Sequence, residues 1–172
     1  MSYEKRRGEL EVSTDPARLD VAAVFAFLAA SYWAEGIPLE VVERSLANSL
    51  CFGLYAPAEP GLGRRERQIG LARVITDFAT FAYLCDVYVL PEHQGQGLGR
   101  WLMESVMEHP GLAGLRRFGL VTRDAHELYR PFGFAPLAHP DRHMESVRPG
   151  LYQARVGTRP PDQSRAGTRA PD

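Results

Sequence analysis

The segment Gln94-Gly95-Gln96-Gly97-Leu98-Gly99-Arg100 carries the strongest chemical signal in the chain. The first turn of an α-helix leaves its amide N–H groups without intrahelical partners, and Ser, Thr, Asp or Asn ordinarily caps them. Here alternate glycines stand where a cap would be. Bare amides, the positive end of a helix dipole and the absence of Cβ atoms together describe a seat for an anion such as a pyrophosphate. Three alternate glycines flanked by Gln94 and Arg100 exceed what a tight turn alone requires. Two common phosphate patterns fail on these residues. A P-loop needs Lys followed by Ser or Thr, whereas Gly99 is followed by Arg100 and Trp101. The dinucleotide fingerprint needs a third glycine where Arg100 or Leu102 stands.

Such a loop has to be held between a strand and a helix, and the flanking sequence supplies both. From Tyr83 to Leu90 a strand is expected, with Tyr83, Cys85, Val87 and Val89 on one side and Leu84, Asp86, Tyr88 and Leu90 on the other. Apolar residues on both sides make it a central strand covered by helices on both faces. From about Gly97 to His109, Leu98, Trp101, Leu102, Ser105 and Val106 recur on neighbouring turns, and Pro110-Gly111 ends that helix. Upstream, a short strand at Leu10 to Val12 is followed by Ser13-Thr14-Asp15-Pro16 and a helix from Ala17 to Ser31. Tyr32 and Trp33 then mark a helix exit before Gly36 and Pro38. A second helix spans Leu39 to Leu50, a strand follows at Cys51 to Tyr55, and a breaker-rich loop at 56–67 leads to a strand from Gln68 to Thr76. In that strand Ile69, Leu71, Arg73, Ile75 and Asp77 are expected on one side. Downstream come a strand at Arg117 to Thr122 and a short helix at Ala125 to Arg130, with Asp124 and Glu127 at capping-box spacing. Pro131 stops that helix, and Phe132-Gly133-Phe134 opens a further strand with Gly133 as a bulge.

The 172 residues are 45% hydrophobic and 24% charged, which describes one ordinary globular domain rather than a disordered or collagen-like chain. Balanced charge, 20 Lys+Arg against 21 Asp+Glu, gives no global support for nucleic-acid binding. The three arginines Arg64, Arg65 and Arg67 read as a solvated hairpin tip, since no aromatic residues interleave them. Cys51 and Cys85 form no CxxC pair and read as apolar strand fillers. No metal-ligand spacing joins His93, His109 and His126, and no metal is expected. Neither a secretory signal nor a membrane span is legible, so the expectation is a cytoplasmic protein without a membrane partner. Residues 1–156 are expected to form the domain, and 157–172, rich in Pro, Gly, Arg and Ser, a disordered tail.

Two segments taken together resemble the GNAT family of N-acetyltransferases. These are the run from Asp86 to Gly99 and the run Asp124-Ala125-His126-Glu127-Leu128-Tyr129-Arg130-Pro131-Phe132-Gly133-Phe134. The first matches the family's Gln/Arg-x-x-Gly-x-Gly/Ala at Gln94, Gly97 and Gly99; the second sets Tyr129 shortly before a Gly-Phe pair. In element order the resemblance covers about residues 8 to 150. It implies a single α/β (α+β) domain with a mixed central sheet flanked by helices on both faces, and acetyl-CoA as cosubstrate. Gln94, Gly95, Gln96, Gly97, Leu98, Gly99 and Arg100 would bind the pyrophosphate. The stretch Val87, Tyr88 and Val89 would lie along the pantetheine arm, admitted by a splay between the fourth and fifth strands. Tyr129 would be the general acid.

On that reading an amine attacks the thioester directly, and a phenol of ordinary pKa near 10 can protonate the departing thiolate. Asp86 is a candidate base acting through water, or a binder of a cationic amine; a structural pairing with Arg73 or Arg123 is the alternative. Tyr32, Trp33, Asp77 and Phe81 are candidate acceptor-site residues, with Tyr83 and Tyr88 as further aromatic walls. Carboxylates such as Glu35 and Asp86 beside aromatic rings suit a small cationic amine. A small-molecule amine is therefore the expected acceptor, with no nucleic-acid partner, and a homodimer is left open. The alternatives are a non-catalytic acyl-CoA binding or sensing module, and an acetyltransferase acting on protein lysines or N-terminal amines.

Overall fold

The computed structural model describes residues 2–58, 66–148 and 150–152. The elements run β1 (Glu4–Arg7), β2 (Leu10–Ser13), α1 (Val21–Ala29), α2 (Leu39–Ala47), β3 (Leu50–Pro57), β4 (Glu66–Thr76), β5 (Phe81–Val89), α3 (Leu98–Met107), β6 (Arg117–Leu120) and α4 (His126–Tyr129). Among the described residues the strands form one six-stranded sheet in the order β1-β2-β3-β4-β5-β6. Pairing is antiparallel except between β5 and β6, which are parallel. Two cores follow from this. On one face α3 and Tyr129 pack over Phe52, Leu54, Val74 and Leu84. On the other, Val24, Leu28, Val42 and Leu46 of α1 and α2 cover Cys51, Leu71 and Tyr88. The mixed sheet with helices on both faces is the architecture expected from the sequence.

Element boundaries differ in ways that have local causes. The helix expected from Ala17 starts only at Val21. Asp15 instead caps a 3-10 turn at Pro16–Arg18, and Asp20 accepts from the Ala23 amide at 3.0 Å to restart the chain as α1. β1 was not anticipated. Its sequence Glu-Lys-Arg-Arg has no apolar alternation, and it exists because β2 offers it a hydrogen-bonding edge. The capping box expected at Asp124 does not form. The Thr122 hydroxyl accepts from the Ala125 amide, while Asp124 pairs with Arg123 and Glu127 with Arg130. The strand expected at Phe132-Gly133-Phe134 is also absent: Arg130–Phe132 is a 3-10 turn, and Gly133 leaves it in the left-handed region at φ +86. The expected disordered tail, 157–172, lies outside the described residues, as does most of the Arg64/Arg65 loop.

Both central strands carry an extra residue, and each insertion reverses a side-chain alternation that a regular pleat would impose. Between β3 and β4 the register steps from Leu54↔Gly70 to Tyr55↔Gln68, so Ile69 joins the α3-side core while Leu71 faces α1 and α2. Between β4 and β5 it steps from Arg73↔Cys85 to Leu71↔Tyr88, which inserts a residue at Asp86 and Val87. Ala82 and Leu84 before the bulge, and Val87 and Val89 after it, therefore all meet the α3-side core, while Tyr88 meets the other. The expected grouping of Tyr83, Cys85, Val87 and Val89 on one side is corrected accordingly.

Candidate functional site

The carboxyl end of β5 delivers the chain to the glycine loop. A 3-10 turn at Pro91–His93 follows the strand, and the Gln94 side chain donates from Nε2 to the Val89 carbonyl at 2.8 Å, tying the loop to the strand it leaves. Gly97 is the N-cap of α3 at φ +73, a conformation that costs a residue with Cβ roughly 1–2 kcal/mol. No side chain caps this helix, and its first internal bond runs from the Trp101 amide to the Gly97 carbonyl. The amides of Leu98, Gly99 and Arg100 are thus the ones an α-helix leaves without intrahelical partners. A Cβ placed on Gly95 or Gly97 would meet nothing within 4 Å, so the space in front of the loop is open. At Gly99 it would make only ordinary contact with Leu128. Leu98 is 3% exposed, so only its amide can serve a ligand. Uncapped amides with open space before them fit a pyrophosphate.

β5 also presents an open edge. β6 pairs with it only from Phe81↔Arg117 to Leu84↔Leu120. Beyond Leu84, among the described residues, no strand covers that edge of β5 as it runs on to Val89. This is the splay that the sequence could not show. Tyr88 lies within the exposed-edge stretch, but its ring is buried and stacks on Phe27 at 3.7 Å between centroids. Only its backbone is available, as for its neighbours Val87 and Val89.

Asp86 occupies the bulge with φ +51. One carboxylate oxygen accepts from Arg73 Nε at 2.6 Å and the other from Trp33 Nε1 at 3.1 Å. Of the two pairings left open from sequence, Arg73 is the partner. Arg123 instead lies over the Tyr32 ring, 3.8 Å from its centroid. Tyr32 meets Trp33 edge-on at 4.9 Å. Tyr129 ends α4, buried, with Phe134 against its ring at 6.1 Å. Burial pushes its phenol up to about 12, and the nearby Tyr32 adds to the shift. Tyr129 is therefore a proton donor throughout the neutral range. Tyr32, Trp33 and Glu35 also line a cleft of about 460 Å³ together with Arg148 and Tyr152.

The structure brings Tyr32, Trp33 and Asp86 together and sets Tyr129 within electrostatic reach of Tyr32. It places Asp77 and Phe81 apart from them, at the β4–β5 hairpin. Asp77 caps the β4–β5 hairpin: its carboxylate accepts the amides of Ala79, Thr80 and Phe81 and the Thr80 hydroxyl. Those bonds hold its carboxyl far below the usual range. Phe81 starts β5, at the opposite end of that strand from the glycine loop. Cys51 and Cys85 are buried enough that each thiol is pushed up to about 12, so both remain protonated fillers rather than nucleophiles. Arg148 and Tyr152 were missed from sequence, and no motif marks them; they arrive from a segment without regular structure. Among the described residues no group of three or more His, Cys, Asp or Glu could hold a metal ion, and no helix is long and apolar enough to cross a membrane.

Comparison with known proteins places these features in context. Residues 58–136 match the model of the acetyltransferase (GNAT) domain. The chain is 43% identical to an acetyltransferase candidate of Gibberella zeae, over 72% of this chain and 77% of that one. Its fold is similar to a solved acetyltransferase candidate of the GNAT family from Xanthomonas campestris pv. campestris, with a TM-score of 0.76 and 48% identity over 86% of this chain and 99% of that one. The fold alone is shared with a GNAT acetyltransferase of Elizabethkingia anophelis solved with acetyl-CoA bound, at a TM-score of 0.55 and 14% identity over 83% and 90% of the two chains.

Proposed function

The chain belongs to the GNAT acetyltransferase family, and on that premise we propose that it transfers an acetyl group from acetyl-CoA directly to the amine of a small molecule. One observation carries the reading: the uncapped, glycine-opened start of α3 stands at the end of a strand whose edge is open from Cys85 to Val89. A chain of pyrophosphate and pantetheine needs that pairing of an anion seat with a free backbone edge. Acetyl-CoA would supply the thioester that the amine attacks.

Each residue then has a task. The amides of Leu98, Gly99 and Arg100 hold the pyrophosphate, and Gln94 keeps the loop in register with β5. The backbone of Val87, Tyr88 and Val89 aligns the pantetheine arm. Tyr129 gives its phenolic proton to the departing thiolate as the C–S bond breaks, and the proton shed by the attacking neutral amine restores the phenol; its raised pKa keeps it protonated until that charge appears. Tyr32 and Trp33 form the acceptor wall. Asp86, paired with Arg73, holds the Trp33 indole through its N–H, and Glu35 supplies negative charge for an ammonium-bearing acceptor. Aligning two bound reactants provides the remaining rate enhancement.

The test follows thiol release from acetyl-CoA against a panel of small amines, with coenzyme A affinity measured in parallel. Acceptor-dependent release, reduced about 100-fold or more in Tyr129→Phe with coenzyme A affinity unchanged, is the expected result. Coenzyme A binding without turnover on any amine would favour the binding or sensing module, and turnover only on peptides would favour a protein acceptor.

A further inference from the structure

β1 and α3 face each other across a cleft of about 490 Å³. Its walls carry Lys5, Arg6 and Arg7 from the strand and Gly97, Arg100 and Glu104 from the helix. The three helix residues are spaced so that they share one face. Lys5, Arg7 and Arg100 thus set three cations against one carboxylate in a protein whose overall charge is only -1, since Arg6, paired with Glu11, stands on the opposite face of the strand from Lys5. Carboxylates partly balance these side chains. Lys5 reaches Glu108 at 2.8 Å and Arg6 reaches Glu11 at 3.0 Å, while Arg100 reaches Glu104 at 3.3 Å. Arg6 and Arg100 use only Nε in these contacts. Arg7 has no ion pair among the described residues. These charges have no structural work that requires their concentration here, since β1 is held by its ladder to β2.

We propose that this cleft seats the 3′-phosphate of coenzyme A, and that Arg7 and Arg100 make the protein discriminate coenzyme A from its 3′-dephospho form. The proposal rests on the acetyl-CoA reading above. Gly97 belongs both to the glycine loop and to the cleft wall. Pyrophosphate and 3′-phosphate are carried by the same ribose, so an anion seated at the α3 amides brings the second phosphate within about one sugar of Gly97. Arg100 lies about one helical turn, some 5 Å, further along α3. A phosphate monoester carries roughly −1.5 to −2 at neutral pH and matches the planar guanidinium fork, which the neutral adenine and pantetheine portions do not. A strand of no apolar character, folded back beside the helix, is thereby given a role in cofactor selection.

Calorimetric titration with coenzyme A and with 3′-dephospho-coenzyme A, at low and at high salt, reads this directly without turnover. The unmodified protein is expected to bind coenzyme A about tenfold or more tightly than the dephospho form, with the ratio shrinking as salt rises. In Arg7→Ala the ratio should fall toward one through loss of coenzyme A affinity alone, leaving the dephospho form bound as before, and in Arg100→Gln the ratio should fall toward one as well. Equal affinity of the unmodified protein for the two ligands overturns the proposal, as does an unchanged ratio in both variants. Failure to bind either ligand overturns the acetyl-CoA reading itself, which is a different result.

Discussion

Asp86 holds a left-handed backbone inside a sheet, and its side chain is only 10% exposed against an Arg73 that is 14% exposed. Asp tolerates that backbone better than most residues, because its short polar side chain can bond locally. Removing the carboxylate leaves the guanidinium buried with only the Ser49 hydroxyl at 3.0 Å beside it. Asp86→Ala should therefore cost about 3 kcal/mol in urea unfolding, since a buried cation loses its counter-charge. Asp86→Asn, which keeps the backbone preference and the Trp33 contact, should restore the indole geometry without the charge. If Asp86→Ala unfolds like the unmodified protein, the ion pair is not what stabilises the bulge. Tyr129 differs in kind: its neighbours are Phe134 and Tyr32 rather than a counter-ion. With its phenol near 12, turnover should show no loss attributable to Tyr129 ionisation between pH 7 and about 10. An alkaline fall below pH 9 that disappears in Tyr129→Phe would contradict that assignment.

At the scale of elements, the two glycines at the start of α3 differ in what they are needed for. Gly97 requires glycine for its backbone, whereas Gly99 is helical and a Cβ there would touch Leu128 at 3.9 Å, ordinary contact. Gly97→Ala should lose about 1 kcal/mol of stability from left-handed strain. Gly99→Ala should unfold no more easily than the unmodified protein, because alanine favours helix by up to about 1 kcal/mol over glycine. Coenzyme A affinity should likewise hold in Gly99→Ala, since the motif accepts Gly or Ala there and the added methyl meets only Leu128, whereas it should fall in Gly97→Ala, whose left-handed backbone shapes the amides that would hold the pyrophosphate. Urea melts and coenzyme A titration on the two variants check both halves. Unchanged affinity in Gly97→Ala would mean that the ligand approaches elsewhere. The same scale explains β5: its bulge turns Val87 and Val89 toward α3, and the short β6 leaves its far edge free.

For the molecule as a whole, burial on both faces of the sheet sets the alkaline limit of stability. The thiols of Cys51 and Cys85 are raised from 9.0 to about 12 and the Tyr129 phenol from 10.0 to about 12, each chiefly by desolvation. Tyr55 and Tyr88 are raised in the same direction for the same reason. Above pH 9 the unfolded chain sheds protons that the folded chain retains, so the unfolded state binds fewer protons and stability falls as pH rises. Stability should be level on this account below pH 9 and decline progressively toward pH 12. Urea midpoints measured from pH 8 to 11 check the slope, and Cys51→Ala should make it shallower. A midpoint that holds constant across pH 9 to 11 would show that these groups reach water in the folded protein.

The glycine loop and the α/β pattern were legible in the sequence, because each depends on local spacing: glycines at a helix start, apolar periodicity, a strand followed by a helix; Tyr129 was singled out by the family resemblance instead. The two faces of the central sheet were not. A single extra residue at Ile69 or at Asp86 reverses every later side chain, and a bulge is decided by the partner strand rather than by the residue itself. Asp77 illustrates the same limit, since its acidity and its position near a strand end suggested a ligand-facing group, and the hairpin amides took it instead. β1, the Arg73–Asp86 pair, the meeting of Arg123 with Tyr32 and the cationic cleft beside α3 all join residues far apart in the chain. Local pattern determined most of the elements and where helix amides stay uncapped. Only tertiary packing decided which charges are paired, which strand edge stays open and which side chains stand around it, because those outcomes depend on contacts that no stretch of the chain makes with itself.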